Sequence, residues 1–172
     1  MLPRFSVLSL AYFLTQLSSC FAANRTIDDT KGDPITGFIP IYTPATSWNV
    51  GQNCSGCFVQ PDPDLAFDST WHDATQHDGD TPISVTLEST GTAVYLFSIV
   101  PNTVPSATTF VNLQFTLDGA PVGSFTHPPD SSSTFEYSVP VLSLENLVNE
   151  PHTLVAEPDG TSLFLFDFAI YT

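Results

Sequence analysis

The chain has 172 residues, of which 42% are hydrophobic, and its formal net charge is −15. Its 14 phenylalanines supply enough apolar surface for a packed core, which excludes a disordered chain despite the 15 prolines. Only three residues are Lys or Arg, so nucleic acid and anionic membrane surfaces are excluded as partners because both would repel the chain. The acidic residues are spread along the whole sequence, and we interpret them as a solubility feature rather than as a cation site.

Residues 1–22 have the features of a secretory signal peptide. A basic residue precedes an apolar run at 5–17, and the small residues Cys20 and Ala22 flank the end of a cleavage motif. The run is too short and too polar to span ~30 Å of hydrocarbon, and no other apolar run reaches about 18 residues. We therefore predict a cleaved signal peptide, no membrane insertion after cleavage, a secreted or extracellular location, and a single β-sandwich domain at 23–172.

Short motifs predict covalent modifications at the start of the domain and at residues 53–57. Asn24 begins the sequon NRT and Asn53 begins NCS, and in a secreted chain these sequons predict exposed, N-glycosylated positions. Cys54 and Cys57 form a C-x-x-C motif, and we predict that they form a disulfide because the mature chain has no other cysteine. Redox activity and zinc binding are disfavoured, since no helix start lowers a thiol pKa here and no paired histidines stand nearby.

Turn residues divide the chain from residue 38 onward into about nine short segments. Alternation of apolar and polar positions predicts strands at 38–42, 67–75, 83–88, 93–100, 112–118, 122–126, 135–139, 152–157 and 162–172. Pro40 marks the first as an edge strand, residues 62–67 are predicted to form a single helical turn, and the Asp118–Pro121 turn makes a hairpin. The pattern predicts an all-β fold, an antiparallel β-sandwich of jelly-roll type.

Two of the predicted strands carry most of the residues considered for a site. In strand 67–75, alternation places Trp71 and Asp73 on one face and His72 on the other, and we expect His72 to be exposed. In strand 162–172, alternation places the even-numbered residues at 164–170 on one wholly apolar face. Asp167 is expected on the opposite face of that strand.

The order of several motifs resembles a large group of fungal, basidiomycete-type secreted and extracellular proteins that are mostly uncharacterised. The motifs are TIDDT at 26–30, AFDSTWHDAT at 66–75, GTAVYLF at 91–97, FTLDGAPVGSFTH at 115–127 and LFDFAIYT at 165–172. The resemblance covers nearly all of the chain after residue 22 and implies a galactose-binding-like β-sandwich. Because folds of this type often bind carbohydrate, it also implies a carbohydrate or cell-wall glycan as the partner, although fold alone does not establish function.

Sugar binding needs an aromatic face for stacking and planar polar groups for the hydroxyls. Tyr42, Trp48, Trp71, His72 and Asp73 offer that mixture, and we predict them as ligand-binding residues. The alternative for the two tryptophans is core packing, because large aromatic side chains dominate the interior of a sandwich.

A structural calcium ion is the only cofactor that the sequence suggests. Asp28, Asp29 and Asp33 lie near the start of the domain, and Asp159 and Asp167 lie near its end. The termini of a jelly roll often lie close together, so Asp28, Asp29 and Asp167 are predicted to converge as metal ligands. Calcium takes about six to eight oxygen ligands, and the alternative is a solvated group of acids without a cofactor.

Catalysis has no motif to support it. The chain contains no G-x-S-x-G nucleophile turn, and nothing distinguishes an acid from a base among its carboxylates. We therefore predict a secreted, non-catalytic, carbohydrate-binding-like domain at the cell surface or cell wall. The alternative is a structural or protein-interaction module without a glycan site, and a secreted hydrolase is less favoured.

Overall fold

The computed structural model describes residues 23–172, so the predicted signal peptide at 1–22 lies outside the described residues. The described part forms eleven strands and four short 3-10 helices. The strands are β1 (Arg25–Asp28), β2 (Ile41–Thr43), β3 (Asn49–Val50), β4 (His72–Gln76), β5 (Ser84–Gly91), β6 (Val94–Pro101), β7 (Val111–Leu117), β8 (Ala120–His127), β9 (Phe135–Leu144), β10 (Glu150–Pro158) and β11 (Ser162–Tyr171). The 3-10 helices are Ala45–Ser47, Gly51–Asn53, Pro63–Leu65 and Phe67–Ser69. Among residues 23–172, none of the helices has the length and hydropathy that a membrane crossing requires.

The strands form two antiparallel sheets packed face to face, which confirms the predicted β-sandwich. Sheet A has the order β3-β4-β11-β6-β9, and β1 pairs with the second half of β11. Sheet B has the order β2-β5-β10-β7-β8, so β2 is an edge strand as Pro40 predicted. Arg25 of β1 lies opposite Tyr171 of β11, and the two ends of the domain therefore meet in one sheet.

The main core lies between the two sheets and is built by period-2 alternation. Leu87 of β5, Phe115 of β7, and Phe164 and Phe166 of β11 are among its fully buried members. Burial of side chains of this size stabilises the fold by about 1.5–3 kcal/mol each, so this core is the main source of stability. The polar residues between them point to the outer faces.

A second, smaller core lies on the outer face of sheet A, and we call it the outer core. It contains Val59, Trp71, Ile99, Leu163 and Leu165. Val59 belongs to the segment 51–70, which carries three of the four 3-10 helices and no strand. Strand β11 is therefore covered on both faces, which explains why nearly all its side chains are buried.

The predicted strand 67–75 is wrong in its first half. Residues Phe67–Ser69 form a 3-10 turn, and the strand begins only at His72. Asp68 and Ser69 have φ angles of 49° and 62°, in the left-handed region, which no strand allows. The predicted helical turn before it is confirmed at Pro63–Leu65.

The single apolar face predicted for β11 is also wrong. The pairing with β6 shifts register between Phe166 and Phe168. Beyond this irregularity, Phe168 stacks on Phe97 with ring centroids 4.5 Å apart, whereas Ala169 and Tyr171 join the main core. A bulge therefore exchanges the faces of the strand, and a pattern of strict alternation does not detect it.

The predicted hairpin is confirmed at β7 and β8. Its turn residues Asp118 and Gly119 have φ angles of 53° and 79°. Two consecutive positive φ values are typical of a type I′ turn, which the Asp-Gly pair favours. The turn fixes the register in which β7 meets β8.

Candidate functional site

The predicted disulfide is present between Cys54 and Cys57, whose Cα atoms are 5.4 Å apart. The side-chain amide of Gln60 donates hydrogen bonds to the carbonyl oxygens of both cysteines, at 3.2 and 2.9 Å. The bridge and this amide hold a tight exposed turn. Asn24 and Asn53 are both exposed, and their glycosylation stays a prediction.

The two tryptophans predicted as stacking residues are buried. Trp48 is 8% exposed and packs in the main core, where it contacts Phe164 with ring centroids 5.7 Å apart. Trp71 is 2% exposed and lies in the outer core, with its indole close against Gly51. Both tryptophans are therefore core residues, and neither side chain presents a face to a sugar ring.

His72 lies inside the sandwich, and the expectation that it is exposed is wrong. Its side chain is 13% exposed and stacks on Tyr42, with centroids 4.1 Å apart and planes inclined by 13°. Its Nδ1 is 2.6 Å from a carboxylate oxygen of Asp29, and the Tyr42 hydroxyl donates to the Asp29 carbonyl at 2.7 Å. Burial, reinforced by the charges of Asp29 and Asp28, raises the pKa of Tyr42. Tyr42 and His72 therefore join the sheets instead of facing a ligand.

The acidic residues predicted to converge do lie together where β1 meets β11. Asp28, Asp29 and Asp167 are buried, and the Asp29 amide donates to the Asp167 carbonyl at 3.2 Å. The Thr70 hydroxyl donates to carboxylate oxygens of both Asp28 and Asp29. Burial raises the pKa of Asp28, and the charge of Asp29 raises it further, although backbone N–H donors oppose the shift.

The side chains of this cluster are engaged by the protein itself, except that Asp167 Oδ2 has no hydrogen-bond partner within residues 23–172. The Thr30 and Lys31 amides donate to Asp28 Oδ1, at 3.0 and 2.5 Å. The hydroxyls of Thr30 and Thr70 and the His72 imidazole occupy the Asp29 carboxylate. Within residues 23–172, no three His, Cys, Asp or Glu side chains are arranged to hold a metal ion. The residues as placed do not fit a calcium site, and we derive no chemistry from a metal here. The calcium site stays a prediction.

A cleft of about 290 Å³ opens on the outer face of sheet A, and we call it the β4 cleft. Residues of β3 and β4, the disulfide turn and the loop at 106–108 line it, among them Asn49, Phe58, Asp73, Thr75, His77 and Thr108. Its size is near the lower end of ligand sites, which are ~300–1,000 Å³. Of the predicted ligand-binding residues, it contains only Asp73.

The β4 cleft combines an aromatic ring with polar groups of fixed position. Phe58 follows Cys57 directly and is 70% exposed. Asn49 lies opposite Asp73 in the β3–β4 pairing, and its side-chain amide donates to Asp73 Oδ2 at 3.1 Å. Burial raises the pKa of Asp73, and the hydrogen bond from Asn49 opposes that shift. The arrangement provides one stacking surface and one oriented donor–acceptor pair.

Sequence reasoning missed Asn49, Phe58 and His77. Phe58 stands outside any alternating segment, so no period indicated whether it is buried or exposed. The one signal that could have indicated it is its position directly after the predicted disulfide turn. Asn49 belongs to a strand of two residues, which is too short to show a pattern.

No protein-family model matches the chain, and no curated protein matches it. Among solved structures, the native structure of a family 35 carbohydrate binding module from Clostridium thermocellum aligns with 88% of this chain and 99% of its own, at 9% identity and a TM-score of 0.50. TmCBM61, solved in complex with beta-1,4-galactotriose, aligns with 77% of this chain and 87% of its own, at 9% identity and a TM-score of 0.43. A second family 35 module from Clostridium thermocellum aligns with 77% and 98%, at 12% identity and a TM-score of 0.40. The chain therefore shares a β-sandwich fold with the first of these modules.

Proposed function

We propose that this chain is a secreted, non-catalytic module that binds carbohydrate at the β4 cleft. The observation that carries the proposal is the exposed ring of Phe58 beside the Asn49–Asp73 pair. An aromatic face stacks on the apolar face of a sugar ring, while a carboxylate and an amide fix the hydroxyls. The shared fold with carbohydrate-binding modules supports the same reading.

The single carboxylate in the lining of the β4 cleft supports a binding role over a catalytic one. Asp73 is the only Asp or Glu among the residues that line it. Glycoside hydrolysis uses a pair of carboxyl groups separated by about 5–9.5 Å across the scissile bond. A lining with one carboxylate lacks the second partner that the reaction needs.

The secreted location and the fungal origin in this proposal rest on the sequence. The signal-like segment at 1–22 and the motif series at 26–172 support export and a role at a fungal cell surface or wall. Exposure of Asn24 and Asn53 is compatible with glycans at both positions.

A glycan array with the purified protein and its Phe58→Ala variant tests the proposal. We expect the wild type to bind at least one glycan, and the variant to bind it at least about fivefold more weakly, because aromatic contacts stabilise by about 1 kcal/mol beyond their buried area. Val148→Ala is the matched control, since it truncates another exposed apolar side chain that does not line the β4 cleft. Binding that Phe58→Ala leaves intact would place the sugar elsewhere, and no binding to any glycan would refute the proposed function.

The alternative of a protein-interaction module has one observation in its favour. Ile41 is exposed in the edge strand β2, and Ile35 and Ile39 are exposed shortly before it. An edge strand carries unpaired backbone groups that another chain can pair with. Concentration-dependent association that Ile41→Glu abolishes, together with a glycan array without binding, would favour this alternative.

A further inference from the structure

We infer that the β4 cleft selects neutral glycans over anionic ones, and that Asp73 is the residue that sets this preference. The inference rests on the proposed function and names the class of ligand. Asp73 is 6% exposed and stands in the wall of the cleft, where its position is fixed by the hydrogen bond from Asn49.

No cation balances the Asp73 carboxylate at the cleft. His77 is the other titratable side chain of the lining, and no Lys or Arg contributes to it. The two basic residues of the described part of the chain lie elsewhere: Lys31 pairs with Asp68 at 3.1 Å, and Arg25 lines a different cleft. Uronate and sulfate groups are bound chiefly through charge-assisted hydrogen bonds from Arg or Lys, and the β4 cleft offers neither.

A neutral sugar finds suitable partners in the same wall. Its hydroxyls are donors, and a hydrogen bond from a hydroxyl to a carboxylate is shorter and stronger than one between neutral groups. The side-chain amide of Asn49 and the hydroxyls of Thr75 and Thr108 supply further donors and acceptors. Phe58 supplies the stacking face, which carries no charge and does not distinguish acids from neutral sugars.

The size of the preference follows from the repulsion between two like charges. Repulsion between Asp73 and a ligand carboxylate about 5 Å away would raise the dissociation constant roughly 4-fold at the dielectric constant of water. At the lower dielectric constant typical of pairs near a protein surface, the increase would be more than about 100-fold. We therefore expect a neutral glycan to bind at least about tenfold more tightly than its acidic counterpart at pH 7.5 and moderate salt.

A matched pair of probes tests the selectivity. Soluble β-1,4-galactan, β-1,4-mannan and β-1,3-glucan oligosaccharides are titrated by calorimetry, and each one that binds is compared with the same oligosaccharide oxidised at C6 to its uronate. The wild type should bind the neutral form and bind the uronate at least about tenfold more weakly. Equal or tighter binding of the uronate would overturn the inference while leaving carbohydrate binding intact. No binding of any probe would count against the proposed function itself.

Substitutions then assign the selectivity to one residue. Asp73→Asn removes the charge and keeps the shape of the side chain. It should therefore narrow the gap, meaning the ratio of the dissociation constants for the oxidised and neutral forms, to less than about threefold. Glu157→Gln, which removes an exposed charge of β10 outside the cleft, should leave the gap unchanged. Thr108→Asp adds a second carboxylate to the lining while it keeps the Asn49–Asp73 hydrogen bond, so it should widen the gap, and it provides an independent test if Asp73→Asn does not fold. A gap that Asp73→Asn leaves at its wild-type size, or narrows no more than Glu157→Gln does, would overturn the role of Asp73.

Discussion

Replacing Asp167 with Asn tests whether a buried carboxylate opposes folding at neutral pH. The side chain has no exposed surface, and its Oδ1 accepts a hydrogen bond from the Phe67 amide at 3.0 Å. Its Oδ2 has no hydrogen-bond partner among residues 23–172. Burial raises the pKa of Asp167 from 3.8 to about 7. The charges of Asp29 and Asp28 act in the same direction, whereas the hydrogen bond from the Phe67 amide opposes the shift.

The sign of the effect on stability follows from proton linkage. A carboxyl group whose pKa is higher in the folded state binds its proton more tightly there than in the unfolded chain. Ionisation therefore destabilises the fold progressively as the pH rises from about 4 to about 7, and the penalty is complete above that window. A shift of about three pKa units, at ~1.4 kcal/mol each, sets an upper bound of about 4 kcal/mol. Small rearrangements that admit water reduce the penalty, and we expect about 2 kcal/mol at pH 8.

Urea unfolding at pH 4 and pH 8, with the disulfide intact, measures this contribution. Asp167→Asn keeps the acceptor for the Phe67 amide, so we expect the variant to be more stable than the wild type by about 2 kcal/mol at pH 8 and by less than half of that at pH 4. Asp64→Asn, at an exposed position, is the control and should change neither value. The same difference at both pH values would refute the reasoning. A variant that is less stable at pH 8 would show that the ionised Asp167 has a partner, and repeating the titration with millimolar calcium or with EDTA would identify a cation.

Three further predictions concern other parts of the chain. Gly51→Ala should lower the free energy of unfolding by about 2 kcal/mol, because a Cβ there would collide with the indole of Trp71; an unchanged melting temperature would contradict this. The His152 imidazole lies 2.7 Å from the Asp118 carboxylate, and this hydrogen bond raises the pKa of His152. An NMR titration should show a lower pKa for His152 in the Asp118→Asn variant than in the wild type. In the wild type, the pair should stabilise the fold below about pH 6.5, and this contribution should be lost as the pH rises through the pKa of His152 in the folded state. Replacing both Cys54 and Cys57 with Ser should lower the free energy of urea unfolding by less than ~3 kcal/mol, since the loop that the disulfide closes is short. The same replacement should weaken glycan binding, because the disulfide holds the turn next to Phe58; an unchanged affinity would show that the disulfide does not support the binding site.

Alternation along the longer strands made most of the sandwich predictable. Strands β7 and β10 bury every second residue, and β5 does so at Val85 and Leu87, so the alternation of apolar and polar residues indicates both the strand and its buried face. The failures occur where a local feature interrupts the period. The positive φ angles at Asp68 and Ser69 end a pattern that otherwise reads as a strand, and the bulge after Phe166 reverses the faces of β11.

The site was less predictable because its contacts join residues that are far apart in the sequence. His72 pairs with Asp29, 43 positions away, only because β1 and β4 both pair with β11. No spacing in the sequence encodes that meeting. Phe58 and Asn49 come together with Asp73 for a similar reason, since the disulfide turn and the two-residue strand β3 are placed by tertiary contacts.

The outer core gives the molecule two levels of cooperativity. Segment 51–70 has no strand of its own and attaches to sheet A through Val59 and the residues around Trp71, whereas the sheets hold each other through the main core. Native-state hydrogen exchange should therefore show this segment opening as a separate foldon, at a lower free energy than global unfolding. Phe58 belongs to the segment and Asp73 to sheet A. A ligand that contacts both residues therefore raises the free energy of opening of this segment by its binding free energy. Slower exchange in this segment would then report occupancy of the β4 cleft, and global unfolding should be stabilised by the same binding free energy because it too breaks the cleft.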